Sequence, residues 1–197
     1  MTLIAAMVEK AERLPLPDFV TRSGIEFLVS RTKRRLSQAD SLAEQRFAHD
    51  MQNFPVAVHT DAANSQHYEL PPKFFEIVLG PHRKYSSCLY DKDESTLAQA
   101  EVQALAETIR HANLSDGQHI LELGCGWGSL SLAMAEKFPH ATITAVSNSH
   151  AQRRTIEALA QQRALTNVRI RTSDMNDFTS EKRFDRIVSV EMFVHMS

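Results

Sequence analysis

The sequence predicts an α/β fold, with a parallel sheet of about four strands after a helical N-terminal segment, and three observations predict it. Four short runs rich in branched apolar residues, "QHILEL", "ATITAV", "NVRIRT" and "FDRIVSV", have the length and composition of buried strands. Helical patterns, "GSLSLAMAEKF" and "SHAQRRTIEALAQQRAL", fill the first two gaps, giving the strand-helix-strand alternation of a parallel sheet with right-handed crossovers. The third observation is "ILELGCGWGSL": Gly124, Gly126 and Gly128 follow the first strand directly, three of the chain's six glycines within five residues.

Taken in order, residues 1–80 read as helices. "LPDFVTRSGIEFLVSRTKRRL" sets Phe19, Ile25, Leu28 and Val29 at approximately helical spacing, and "SLAEQRFAHDMQNF" continues in that manner. Pro15, Pro17, Pro55 and the Pro71-Pro72 pair mark breaks, and "HTDAANSQHYELPPKFFEIVL" is a polar connector running into a short helix. "STLAQAEVQALAETIRHA" has the form of a capped helix, and the strands follow it. The expected division is therefore a helical appendage or lid over residues 1–80 and a sheet-bearing domain over residues 81–197. The sequence stops at "VEMFVHMS", just past the fourth strand, where an apolar edge would be left unpaired. The expectation is an incomplete chain whose continuation carries further strands and part of an acceptor pocket.

Composition narrows the partners. With 197 residues, 43% of them hydrophobic, the chain can bury a core. A formal charge of -2 gives no global reason to expect nucleic acid. Cys88 and Cys125 have neither metal-ligand spacing nor the number for a disulfide framework, so a reducing cytoplasm is expected and no metal site is indicated. "MTLIAAMVEKAE" meets Glu9 and Lys10 before its apolar run is long enough for a signal peptide or a membrane span, so no export is expected.

The glycine loop permits a tight turn, close backbone approach by a ligand, and a helix opening with its positive end toward that ligand. A ligand-free strand-to-helix turn is the plain alternative. "GCGWG" lacks the Lys-Ser/Thr ending of a triphosphate loop and departs from GxGxxG, while Glu122 stands where it would repel a pyrophosphate. A cationic ligand suits it better, such as an amino-acid-bearing sulfonium with no phosphate.

"HILELGCGWGSLSLAMAEKFPHATITAVSNSHAQ" resembles motif I and the second-strand region of class I S-adenosylmethionine-dependent methyltransferases, which have a Rossmann-like sheet. With "HYELPPKFFEIVLGPHRKYSSCLY", "STLAQAE" and "DRIVSVEMFVHM", residues 66–197 resemble the cyclopropane-fatty-acid-synthase-like group, nearest to its coclaurine-type N-methyltransferases. The resemblance implies S-adenosyl-L-methionine as cofactor. It implies that Tyr85, Ser86, Gly124 and Gly126 contact the methionine part, and that Ser147, Asn148 and Gln152 lie on the ribose side. It further implies that Asp174 accepts from the adenine amino group with Met175 beside the ring. Asp174 is otherwise a turn former or helix cap. Tyr68 is implied near the sulfonium, and is equally an aromatic packed at the joint between the two halves.

For chemistry, "EMFVH" sets Glu191 and His195 four apart, on one face if the residues after the fourth strand are helical. Such a pair can take the proton that an amine acceptor must lose; the resemblance gives the matching Glu and His this part. From the spacing alone, a strand-end Glu and a capping His remain open. The cyclopropane synthases of the group hold a bicarbonate base through a Cys and a Glu at positions where this chain has Ser87 and Val194, which weakens the lipid-alkene reading. A small-molecule amine is thus the expected acceptor. The alternatives are a cyclopropane synthase or fatty-acyl methyltransferase, with Lys33, Arg34 and Arg35 in peripheral contact with an anionic membrane, and a non-catalytic cofactor-binding module.

Overall fold

Helix starts follow local chemistry along the chain. The computed structural model describes residues 17–38, 40, 42–57 and 70–192. Pro17 precedes α1 (Asp18–Ser37), where Asp18 in the first turn pairs with Arg22 at 2.7 Å. The next elements are α2 (Ala43–Asp50), a 3-10 turn over Met51–Asn53, and α3 (Pro72–Val78), which opens on proline. Thr96 caps α4 (Leu97–His111) in a capping box with Gln99, as the "STLAQ" spelling suggests.

The sheet then builds as β1 (His119–Leu123), α5 (Ser129–Lys137), β2 (Thr142–Ser147), α6 (His150–Gln162), β3 (Val168–Thr172) and β4 (Arg186–Ser189). All neighbouring strands run parallel, in the order β3-β2-β1-β4. The four parallel strands meet the expected α/β sheet.

Side-chain alternation along each strand decides what the helices cover. Ile120, Ile143 and Val188 pack with Leu105 and Ile109 of α4 and Leu130 and Met134 of α5. Ala145 and Ile170 lie on the same sheet face and pack with Leu132 of α5 and Ile156 and Ala160 of α6. On the opposite face, Leu121 and Ile187 are in register; Leu121 is buried, whereas Ile187 on the outer strand β4 is 63% exposed.

Two compact units divide between Asn53 and Phe54, earlier than the boundary at residues 80 and 81 drawn from the sequence. The reason lies in α3. Phe75 is fully buried, with its ring 4.5 Å from that of Trp127 in the glycine loop and 6.2 Å from that of Tyr85, so α3 belongs with the sheet. Helices α1 and α2 of the first unit contain no buried residue. Among the described residues no helix is long and apolar enough to cross a membrane.

Gly128 joins the first crossover to the second. It has φ 84°, and a Cβ there would stand 2.7 Å from Ile156 of α6. We expect Gly128→Ala to lower unfolding stability by about 1–3 kcal/mol in urea denaturation, from positive-φ strain and overpacking.

Candidate cofactor site

Parallel pairing brings the C-terminal ends of all four strands to one edge of the sheet, and the strand order reverses direction between β1 and β4. A crevice at such a reversal is the usual ligand position in open α/β sheets. The ends are fastened side by side: the Ser173 N–H donates to the Ser147 carbonyl at 2.9 Å, and the Ser189 hydroxyl donates to the Leu123 carbonyl at 3.0 Å.

The three loop glycines do different things. The N–H groups of Gly124 and Cys125 both donate to the Val146 carbonyl, at 3.0 and 2.9 Å, so the loop is anchored on the end of β2. Met192 lies against Gly124, where a Cβ would come within 2.6 Å of its sulfur. Gly126 has φ 51°, and a Cβ there would meet no protein atom within 4 Å. That open side is where a ligand can approach the backbone, whereas Gly128 is spent on packing. Cys125 and Trp127, between the glycines, point inward and are buried. Among the described residues, Trp127 Nε1, Ser129 Oγ and Thr172 Oγ1 are buried without a protein hydrogen-bond partner.

At the end of β2, Ser147 and Gln152 are buried and bonded to each other. The Ser147 hydroxyl donates to Gln152 Oε1 at 2.6 Å, and the Ser149 N–H donates to Ser147 Oγ at 3.0 Å. Ser149 in turn caps α6 by accepting the Gln152 N–H at 3.3 Å. Of the three expected ribose-side residues, only Asn148 is exposed.

After β3, Asp174 and Met175 are half-buried in a turn whose Asn176 N–H donates to the Asp174 carboxylate at 2.8 Å. The Asn176 amide also clasps Ala57, accepting its N–H at 3.1 Å and donating to its carbonyl at 3.0 Å.

The segment around Tyr85 and Ser86 meets the end of β4. The hydroxyls of Ser86 and Ser87 both donate to the Glu191 carboxylate. Those two bonds, Ser86 first, hold the Glu191 carboxyl below its usual pKa despite partial burial, with help from Lys84. Glu191 has φ 55°, a left-handed backbone conformation. His195 and Tyr68 lie outside the described residues.

Glu122 occupies a different environment from the one its motif position suggests. It is in register with Ala145 and Val188 on the helix-covered face, is 3% exposed, and accepts the Ser131 hydroxyl of α5 at 2.5 Å. Loss of hydration on burial raises its pKa to about 7, and the Ser131 bond offsets part of that rise. Burial likewise pushes the Cys125 thiol well up, with the Glu122 charge adding to it.

Sequence reasoning missed Glu101, Asn176 and the pairing of Phe75 with Trp127. Tertiary contacts alone reveal all three, although Trp127 sat in plain view inside the glycine motif.

The family model for mycolic acid cyclopropane synthetase matches residues 57–197, which includes every strand and loop just described. The chain belongs to this family. Within it, the chain is 30% identical over 98% of its length to (S)-coclaurine N-methyltransferase of Thalictrum flavum subsp. glaucum, covering 55% of that protein. It is 37% identical over 76% of its length to (S)-tetrahydroprotoberberine N-methyltransferase of Eschscholzia californica, covering 43% of that protein. A solved coclaurine N-methyltransferase bound to N-methylheliamine and SAH superposes with a TM-score of 0.76 at 30% identity, over 99% of this chain and 57% of that one. The chain thus spans about half the length of the curated family members it matches.

Glu122 makes stability pH-dependent. Its pKa is higher folded than unfolded, so its contribution is fully present below the unfolded value of 4.5 and is lost as pH rises through about 7. The expected loss is about 3 kcal/mol between those limits. Urea denaturation of Glu122→Gln should lack this decline while the unchanged protein shows it; equal slopes would contradict the buried environment described for Glu122.

Proposed function

We propose that the protein is an S-adenosyl-L-methionine-dependent methyltransferase that N-methylates a small amine. The observation that carries this reading is the extent of likeness to (S)-coclaurine N-methyltransferase, 30% identity over 98% of this chain, combined with an open backbone at Gly126 beside the β1/β4 reversal. The residues available there suit the cofactor. Gly126 leaves room for an approaching group, Asn148 is exposed at the end of β2, and Asp174 and Met175 stand at the end of β3 for an adenine amino group and ring. Tyr85, Ser86 and Tyr68 are assigned to the methionine and sulfonium end.

When bound, the cofactor supplies a methyl group on a positively charged sulfur, and the protein's contribution is to align an acceptor nitrogen and take up its proton. We assign that proton to His195. Glu191, kept ionised by Ser86 and Ser87, is assigned to stabilise the charge that His195 gains. Ser87 in place of a bicarbonate-holding Cys favours an amine over a lipid alkene. The helical N-terminal segment is assigned the role of a lid, and the use of Cys88 and Cys125 as free thiols accords with a cytoplasmic setting.

Labelled methyl transfer from S-adenosylmethionine, run in parallel on small secondary and tertiary amines and on unsaturated phospholipid, tests the reading. Label in an amine is the expected result; label in phospholipid would transfer the assignment to the fatty-acyl branch, and label in neither would favour a non-catalytic binding module. In the active protein, Glu191→Gln should lower turnover by about a hundredfold while cofactor affinity changes little. Asp174→Ala should weaken cofactor binding by roughly 1.5–3 kcal/mol in a calorimetric titration, the worth of one hydrogen bond to a charged group.

A further inference from the structure

Glu101 is fully buried on α4, yet no part of the chemistry above uses it. Both of its carboxylate oxygens are engaged by backbone. Oε2 accepts the His82 N–H at 3.1 Å, and Oε1 accepts the Lys84 N–H at 2.9 Å. Between these donors stands Arg83 with φ 55°, a left-handed conformation that is unfavourable for a non-glycine residue. Left-handed backbone between two donors forms an anion-binding nest, and here the anion is the protein's own carboxylate. The loop presses closely on it: a Cβ at Gly80 would stand 2.3 Å from Glu101 Oε2.

The same short loop leads directly into Tyr85 and Ser86. Arg83 is pinned from outside by Glu76 of α3 at 3.0 Å. Lys84 extends the hold forward, its ammonium donating to the Ser86 carbonyl at 2.7 Å. The Leu89 N–H then donates to the Ala100 carbonyl at 3.0 Å, next to Glu101 on α4. The segment is thus fastened to α4 before and after Tyr85 and Ser86.

We propose that Glu101 is a positioning residue for the amino-acid end of the cofactor. It acts through the 80–84 loop to fix Tyr85 and Ser86, and touches neither cofactor nor acceptor. This inference rests on the cofactor reading above. It predicts a selective defect, because a residue that only held the fold together would impair every ligand of the site alike.

The test is calorimetric titration of the full chain with two probes, S-adenosylhomocysteine, which carries the amino-acid end, and 5′-methylthioadenosine, which lacks it. The unchanged protein should bind both. Glu101→Ala should lose about tenfold or more in affinity for S-adenosylhomocysteine while binding 5′-methylthioadenosine within about twofold of normal. Glu101→Gln, retaining one acceptor oxygen, should recover part of the difference. Gly80→Ala keeps the carboxylate and displaces the loop, so it should reproduce the selective loss even if Glu101→Ala fails to fold. Equal losses for both probes, or no loss for either, in the folded variants would overturn the proposal. Absence of S-adenosylhomocysteine binding by the unchanged protein would instead overturn the cofactor reading, and this inference with it.

Discussion

One backbone carbonyl organises the site. Val146, near the end of β2, accepts the N–H groups of both Gly124 and Cys125, so β1 cannot continue and the chain must turn at once. The turn then sorts the following residues by direction. Cys125 and Trp127 go inward to the core, Gly126 presents open backbone, and Gly128 brings α5 against Ile156 of α6. A bulky side chain at any of the three glycines would meet Met192, fill the open side of the loop, or press on Ile156 of α6. That distribution gives each of the three glycines within five residues its own surroundings.

The remainder of the candidate site is arranged around this turn by parallel pairing. With β1 in register with both β2 and β4, the residues following each strand necessarily fall on one edge. Ser147 and Gln152 are consumed in a buried knot that caps α6, leaving Asn148 as the outward-facing group from that strand. From the other direction, Glu101 anchors the loop ahead of Tyr85, and Ser86 and Ser87 meet Glu191 beyond β4. Segments far apart in sequence therefore converge through hydrogen bonds to backbone and carboxylates, with aromatic packing of Phe75 on Trp127 beneath them.

Much of this was legible in the sequence because it is local. Branched apolar runs gave the four strands, Thr96 with Gln99 gave a helix start, and the glycine cluster marked the turn. What was hidden is what distant residues decide. That α3 belongs with the sheet depends on Phe75 reaching Trp127, a contact without periodicity. Glu122 read as a carboxylate facing a cationic ligand, but its strand register places it under α5 with Ser131. Glu191 read as one of a Glu-His pair four apart, and the spacing carried no signal for its two serine partners or its left-handed backbone.

The central claim is that the glycine turn has one ligand-facing position and one packing position. The most direct measurement is titration of Gly126→Ala and Gly128→Ala with S-adenosylhomocysteine, each with its unfolding midpoint. A methyl at position 126 meets no protein atom within 4 Å, so binding should be lost while the fold is kept. A methyl at position 128 meets Ile156, so the midpoint should fall while the folded fraction still binds. Retained binding by Gly126→Ala would contradict the account.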